Sequence, residues 1–166
     1  MADQIQSPVA ETTDREVVIS HVYNAPRELV FNAWTDPEQL KKWWAPKGCT
    51  LLHCTVDLRV GGLFLFCMGI PDSRDVWARG IYREILFPER LVYVGSFADK
   101  TGRKVEPTDL GFSPQNPAES LVTVTFTAMG SKTRVELRDT VPSTSPERAE
   151  MVQGWREMFD KLADIL

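Results

Sequence analysis

Residues 145–166 read SPERAEMVQGWREMFDKLADIL and are typical of a long amphipathic helix. Ser145 is a favourable N-cap, Pro146 suits the first helical turn, and the glutamates that follow favour the positive end of the helix dipole. The apolar side chains form a stripe along one side of this helix, and the charged side chains lie largely on the other. The stripe consists of Met151, Trp155, Met158, Phe159, Leu162 and Leu166. It has to pack on another element, and the rest of the sequence predicts that this element is a sheet.

Seven segments before the helix have the alternation or the β-branched content of strands. In residues 52–60 apolar side chains occupy every second position, which predicts a strand with one face in the core. Residues 63–70 are apolar on both faces, which predicts a strand that is covered on each side or lies at an interface. The predicted strands cover residues 16–23, 52–60, 63–70, 75–86, 90–97, 120–128 and 132–140.

Two short helices are predicted between the first and the second strand. Pro26 suits a first helical turn, and the apolar residues that follow it recur at helical spacing. Asp36 is a favourable N-cap for a second helix, which residues 45–48 bring to an end. The predicted order is therefore one strand, two short helices, six strands and a long helix.

Length and composition narrow the class of protein. A chain of 166 residues fits one domain. Residues 1–14 are polar and predict a disordered tail, so we expect the domain to cover residues 15–166. The net charge of -4 argues against a nucleic-acid partner. We find no basic stretch leading into an apolar run at the start, and no run of about 18 apolar residues, so we expect a cytoplasmic protein without a membrane partner.

The stretch from residue 98 to residue 119 is longer than most loops of compact domains and is rich in proline and glycine. Such a stretch is either a lid over a binding site or a disordered insertion, and both interpretations stay open. Leu110 and Phe112 are the side chains that would anchor it to the body of the domain.

Five short motifs follow one another in residues 15–166. They comprise Ala25, Pro26, Val30, Phe31, Ala33, Trp34, Thr35, Asp36 and Pro37; Trp43, Trp44, Ala45 and Pro46; Asp57, Arg59, Gly61, Gly62 and Phe64; Gly80, Tyr82, Glu84, Ile85, Pro88, Glu89, Arg90 and Leu91; and Gly154 and Trp155. In this order they resemble the SRPBCC superfamily, whose members have the START-like or helix-grip fold. The most similar branch is named after the activator of the heat-shock-protein-90 ATPase.

The resemblance implies an α+β helix-grip fold, in which a seven-stranded curved antiparallel sheet wraps around the long C-terminal helix. Two short helices would lie between strands 1 and 2. The resemblance also implies a cavity between helix and sheet, which relatives use for lipids, sterols, polyketides or other apolar ligands. The eukaryotic chaperone activator of this branch has an additional N-terminal domain, and residues 1–14 are too short to form one.

On this basis we predict that the chain binds a hydrophobic or aromatic small molecule between the sheet and the C-terminal helix. The candidate ligand-binding residues are Trp44, Phe64, Phe66, Trp77, Tyr82, Met151, Gly154, Trp155 and Phe159. Core packing explains any one of the large side chains alone, so the prediction rests on the set. A glycine inside a helix costs about 1 kcal/mol relative to alanine, so Gly154 either leaves room for a ligand or lets the backbone pack closely on the sheet.

Two other functions stay open. A protein-interaction module, chaperone-linked or regulatory, is favoured by the two apolar faces of residues 63–70, which could equally form the seam of a homodimer. A cyclase- or hydrolase-type enzyme, similar to polyketide cyclases, would use the same cavity through desolvation and positioning. A flat apolar outer patch would favour the first alternative, and a carboxylate or tyrosine that points into a polar-lined pocket would favour the second.

We predict no catalytic residue, no cofactor and no metal. His21 and His53 lack metal-ligand spacing, and no Gly-x-Ser-x-Gly motif lies near them. The three cysteines lack close pairing and are interpreted as reduced core thiols. Asp57 and Arg59 beside the double glycine predict an ion pair that stabilises a turn.

Overall fold

The computed structural model describes residues 7–166, which form nine strands, three α-helices and one 3-10 turn. The strands are β1 (Val9–Thr12), β2 (Val17–Tyr23), β3 (Thr50–Val56), β4 (Leu63–Gly69), β5 (Asp75–Leu86), β6 (Arg90–Ala98), β7 (Lys104–Val105), β8 (Ser120–Met129) and β9 (Lys132–Asp139). The helices are α1 (Arg27–Thr35), α2 (Pro37–Leu40) and α3 (Arg148–Ile165), and the 3-10 turn is Pro107–Leu110.

All the strands join one open, curved antiparallel sheet. Its order is β1-β2-β9-β8-β6-β5-β4-β3, and the short β7 pairs with β6 beside this path. Helix α3 packs on the concave face, where the phenolic hydroxyl of Tyr23 donates a hydrogen bond of 2.9 Å to the carbonyl oxygen of Phe159. Helices α1 and α2 lie between β2 and β3 in the chain. The predicted α+β helix-grip architecture is confirmed, with two more strands than the seven expected.

One additional strand lies in the predicted tail. Residues 9–12 pair with β2 in the register from Val9↔Ser20 to Thr12↔Val17. The prediction of disorder was wrong for this segment. It rested on the small number of apolar side chains, whereas β1 is held by backbone hydrogen bonds to β2 at the edge of the sheet. The part of the predicted tail at residues 1–6 lies outside the described residues.

Strand β3 ends earlier than its alternating pattern predicts. The register against β4 shifts between Leu51 and His53, so Leu52 is 55% exposed instead of buried. After Val56 the chain leaves the sheet in a turn, in which Nε of Arg59 lies 2.8 Å from Oδ2 of Asp57. The predicted ion pair is therefore confirmed, and the predicted strand at residues 57–60 is a turn instead.

Strand β4 is covered on both faces, as one of its two interpretations predicted. On the convex face Leu65 and Cys67 are 6% and 2% exposed. Trp77 stands opposite Cys67 on β5. Gly102 packs so closely on Leu63 that a Cβ at this position would lie 2.8 Å from the leucine Cδ2. The second face is thus covered by the chain's own neighbouring segments.

The predicted N-terminus of the long helix needs a small correction. Helix α3 begins at Arg148, with Glu147 at its N-cap position and no side-chain hydrogen bond to the helix. Ser145 is buried in the preceding turn, and its amide donates to the carbonyl oxygen of Pro142 at 3.1 Å. The Ser-Pro signal therefore starts a turn that leads into the helix.

Candidate functional site

A cavity of about 380 Å³ lies between the N-terminal half of α3 and the concave face of the sheet. This volume is within the range of small-molecule sites. The helix contributes Met151, Gly154, Trp155 and Met158, and the segment after α2 contributes Trp44 and Pro46. The sheet contributes Phe66, Met68, Ala78, Arg79, Tyr93, Gly95, Ser96, Phe97, Ser120, Val122 and Asp139, and the remaining wall is formed by Phe112, Asn116, Pro117, Val141, Ser145, Glu147, Arg148 and Glu150.

Small residues on the inner face of the sheet make the space. Ala78 and Gly95 line the cavity. A Cβ at Gly80 would lie 2.8 Å from Cδ2 of Tyr93, so the glycine lets the tyrosine ring lie close against the sheet. At the edge of the cavity, Gly154 adds no side chain from the helix. The space under the helix therefore depends on the small residues of the sheet.

Aromatic rings form much of the cavity wall. The ring of Trp44 lies 5.4 Å from that of Trp155 and 5.7 Å from that of Phe66, both in edge-to-face geometry. At the other end, the rings of Phe97 and Phe112 are stacked at 4.7 Å with an angle of 8° between their planes. These rigid, apolar surfaces suit a ligand with rings or branched hydrocarbon.

The stretch between β6 and β8 closes one end of this cavity. Phe112 brings the stretch against the sheet, and the amide of Ser113 donates a hydrogen bond of 2.6 Å to Oε1 of Glu147 at the start of α3. The predicted anchoring through Phe112 is confirmed by this stacking. The same stretch contains β7 and a 3-10 turn, so it has more secondary structure than a disordered insertion would have.

Asp139 is a buried acidic group in the cavity wall. It ends the inward-facing row of β9, after Val135 and Leu137, and is 4% exposed. Burial in apolar surroundings raises the pKa of its carboxyl to about 6, and the nearby hydroxyl of Ser120 and indole N–H of Trp155 offset part of this rise. Its Oδ1 has no hydrogen-bond partner among the described residues.

Tyr93 is the second titratable group in the depth of the cavity. The side chain is 6% exposed. Burial raises the pKa of its hydroxyl well above the usual value, and the negative charge of Asp139 raises it further. The hydroxyl therefore stays protonated at neutral pH and can donate a hydrogen bond. Asp139 thus gives the cavity wall a buried acceptor, and Tyr93 gives it a buried donor.

The nine predicted site residues fall into three groups. Five of them line the cavity: Trp44, Phe66, Met151, Gly154 and Trp155. Three lie in the core next to it and are at most 2% exposed: Phe64, Tyr82 and Phe159. Trp77 faces away from the cavity.

Trp77 corrects the predicted set. It stands opposite Cys67 on the convex face, where its ring lies 5.1 Å from that of His53. Its inward neighbour is Ala78, which lines the cavity. Successive side chains of a strand point to opposite faces of the sheet. The sequence did not show which residues of β5 face the helix, so the prediction took an aromatic residue from the wrong face.

Gly154 faces neither the deep cavity nor the sheet directly. A Cβ at this position would lie 3.4 Å from Cγ of Pro46, which is ordinary van der Waals contact. The glycine therefore stands at the edge of the cavity, and close backbone packing on the sheet does not explain it.

The sequence reasoning missed Asp139, Tyr93 and Ser120. Their signal was strand parity: Asp139 shares the parity of Val135 and Leu137, and a polar residue at a core-facing position needs an explanation. The sequence pattern of residues 132–140 alone predicts only one strand of a hairpin.

Two further observations concern metals and membranes. Across residues 7–166, no three or more His, Cys, Asp or Glu side chains are grouped to hold a metal ion. None of the helices in this part of the chain combines the length and the apolar character needed to cross a membrane.

The three cysteines are free thiols. Cys54 and Cys67 are buried, and Cys49 is partly buried.

Residues 24–166 match the model of the family described as Activator of Hsp90 ATPase homolog 1-like protein. The chain belongs to this family. The family is of the SRPBCC type, which is known for ligand-binding cavities, and the position of the cavity under α3 agrees with that type. The comparison with curated proteins finds no match.

Several solved structures share the fold of this family member. A crystal structure from Nitrosomonas europaea is 24% identical with a TM-score of 0.76, and the match covers 94% of this chain and 96% of that one. A solution structure from Arthrobacter aurescens is 23% identical with a TM-score of 0.76, covering 95% and 90%. A crystal structure from Mycobacterium smegmatis is 21% identical with a TM-score of 0.75, covering 97% and 96%. At these identities the likeness shows the fold alone.

Proposed function

We propose that this member of the Activator of Hsp90 ATPase homolog 1-like family binds a hydrophobic or aromatic small molecule in the cavity between the sheet and α3. The observation that carries the proposal is the cavity of about 380 Å³, which is walled by aromatic and aliphatic side chains. A cavity of this size with mostly apolar walls can bury most of the surface of a small apolar molecule. Such a ligand would gain dispersion contacts with the side chains that surround it.

Titration with N-phenyl-1-naphthylamine, an uncharged fluorophore that brightens in apolar surroundings, tests this proposal. We expect saturable binding of about one probe per chain, together with a change in tryptophan emission, because Trp44 and Trp155 line the cavity. Absence of saturable binding to the folded protein would contradict the proposal.

Two substitutions at one position locate the probe. Gly154→Leu extends a branched side chain from the helix at the cavity edge, whereas Gly154→Ala adds only a Cβ, which meets Pro46 at ordinary contact distance. We expect Gly154→Leu to weaken probe binding with the circular dichroism spectrum retained, and Gly154→Ala to bind as the wild type does. Equal affinity of the well-folded Gly154→Leu protein would place the probe elsewhere.

Acid–base catalysis is the second candidate function, because Asp139 and Tyr93 stand in the cavity. A carboxyl with a pKa of about 6 exchanges protons readily near neutral pH, as a general base or acid requires. The test is to recover candidate compounds after incubation with the protein and analyse them by mass spectrometry. Conversion by the wild type that is lost in Asp139→Asn supports an enzyme, and recovery of unchanged compound supports a binding protein.

The interaction-module hypothesis has less support. Its main argument was the apolar outer face of residues 63–70, but Leu65 and Cys67 on that face are covered within the chain. The seam of a homodimer was inferred from the same face. Sedimentation of the purified protein over a concentration series would show whether a dimer forms by another surface.

A further inference from the structure

A buried acidic group without a cation is the least expected feature of the cavity. Asp139 is 4% exposed and its Oδ1 has no partner among the described residues. Burying an ionised carboxylate is costly unless it is paired or fully hydrogen-bonded, so buried polar groups in proteins are nearly always satisfied. A carboxylate oxygen without a donor, in the wall of a ligand-sized cavity, leaves a place for a donor group of the ligand.

Neither of the two arginines that border the cavity supplies it. Arg79 donates from Nη1 to the carbonyl oxygen of Gly102 at 3.0 Å, on the convex side of the sheet. Arg148 donates from Nη2 to the carbonyl oxygen of Glu16 at 2.7 Å. No salt bridge to Asp139 is formed within residues 7–166. The charge of Asp139 is therefore left for a group that enters the cavity.

The rest of the cavity fits a cation with an apolar body. The faces and edges of aromatic rings surround the space, among them Trp44, Phe66 and Trp155, and ring faces attract ammonium groups. The exposed carboxylate of Glu150 also lines the cavity and adds negative charge at its edge. Carboxylate and aromatic rings in one cavity are complementary to an ammonium group carried on a ring or hydrocarbon body.

We propose that the ligand is an apolar, ring-bearing amine whose protonated ammonium group donates a hydrogen bond to the Asp139 carboxylate. This inference rests on the proposed function, because it names the class of ligand for the same cavity. No covalent step is involved. The rings of the ligand would pack on the aromatic wall and its single charged group would meet the single buried acid.

A neutral hydroxyl group on the ligand could also donate a hydrogen bond to Asp139. The charge of the donor determines which of the two groups, ammonium or hydroxyl, binds more tightly. The ammonium loses more hydration on entry than a hydroxyl does, which opposes its binding. The carboxylate, however, is already desolvated in the folded protein, so its attraction for a cation acts at close range in apolar surroundings. Both donors would make a charge-assisted hydrogen bond to the carboxylate, but only the ammonium adds the attraction between opposite charges. The ammonium should therefore bind more tightly than the hydroxyl.

Three probes of nearly equal size test the proposal by isothermal titration calorimetry at pH 7.5. They are 2-naphthylmethylamine, 2-naphthylmethanol and 2-ethylnaphthalene, which carry an ammonium, a hydroxyl and a methyl group at the same place. We expect the amine to bind about tenfold or more tightly than the hydrocarbon, with the alcohol between them. If the alcohol or the hydrocarbon binds as tightly as the amine, the proposal is overturned.

Variants then assign the preference to one group. Asp139→Asn has nearly the same shape without the charge, and we expect it to lose the preference for the amine while still binding 2-ethylnaphthalene. Asp164→Asn is the matched control, because it makes the same change at an exposed position of α3 outside the cavity and should keep the preference. Retention of the preference in Asp139→Asn, or its loss in Asp164→Asn, overturns the role of Asp139. Failure of all three probes to bind would contradict the proposed function itself.

Discussion

The two halves of helix α3 meet the sheet in different ways. In the C-terminal half Phe159 and Leu162 are fully buried and fill the space under the helix. In the N-terminal half Met151 and Trp155 are only partly buried and line a cavity. One amphipathic stripe in the sequence thus serves two purposes: half of it stabilises the fold and half of it shapes a site.

The residues that face each half explain the difference. Phe159 meets large rings, with the ring of Tyr23 at 6.3 Å and that of Trp34 at 5.9 Å. The N-terminal half faces Ala78 and Gly95, which leave the space open, and the buried acid Asp139. A site therefore arises where the sheet carries small and polar residues at positions that elsewhere carry large apolar ones.

The largest expected effect is on stability in the packed half. Phe159→Ala should lower the free energy of unfolding by about 3–5 kcal/mol, because it leaves a hole among side chains that cannot close around it. Met151→Ala should cost about 1 kcal/mol or less, because Met151 is only partly buried at the edge of the cavity. Urea unfolding of both variants measures this. Similar costs at the two positions would break the distinction between the halves.

The next effect concerns Asp139 and pH. Its carboxyl has a pKa of about 6 in the folded protein, raised by burial from a usual value of 3.8. A raised pKa means that the folded state binds the proton more tightly, so the stabilisation is fully present below about pH 4 and is lost as the pH rises to about 6. The loss should be on the order of 3 kcal/mol.

Asp139→Asn isolates this contribution. The variant lacks the titrating carboxyl of Asp139 but keeps all the other carboxyls. When its free energy of unfolding is subtracted from that of the wild type, the pH dependence of the other carboxyls cancels. We expect the wild type to become less stable relative to the variant between pH 4 and pH 6, measured by urea unfolding at each pH. If the difference in unfolding free energy between wild type and variant did not change with pH, the carboxyl of Asp139 would not be desolvated in the folded protein.

The sequence predicted the fold well because the fold depends on periodic patterns. The apolar stripe of α3 and the alternation along the strands repeat over many residues. A single residue that departs from the pattern therefore does not change the predicted element. Strand ends were less predictable: the shift at Leu51 and His53 and the pairing of β1 arise from backbone geometry, which side-chain patterns do not encode.

The candidate site was only partly predictable for a related reason. The predicted aromatic residues include Trp44 and Trp155, which line the cavity, and Trp77, which lies on the opposite face of the sheet. Adjacent residues of a strand point to opposite faces, so an error of one position selects the wrong face. The cavity itself depends on residues with little or no side chain, such as Ala78 and Gly95. Their importance appears only when the sheet and helix are brought together.

A smaller effect is expected at the boundary of the two halves. Gly154→Ala should raise the free energy of unfolding by up to about 1 kcal/mol, because alanine is the better helix former and the new Cβ meets Pro46 at 3.4 Å without a clash. Gln153→Ala, at an exposed position one residue earlier, shows how much a helix-propensity change alone contributes. Destabilisation by Gly154→Ala would mean that Pro46 cannot accommodate the methyl group.

The smallest expected effect separates the two faces of the sheet. If ligands enter only the space beside the N-terminal half of α3, Trp77→Phe should leave the affinity for N-phenyl-1-naphthylamine unchanged within about twofold, because the side chain packs with His53 on the convex face. Trp155→Phe should weaken binding and remove part of the tryptophan emission change, since Trp155 lines the cavity and lies 5.4 Å from Trp44. Fluorescence titration of both variants checks the pair. A loss of affinity in Trp77→Phe that matches the loss in Trp155→Phe would place probe binding on the convex face and remove the functional distinction between the two halves of the helix.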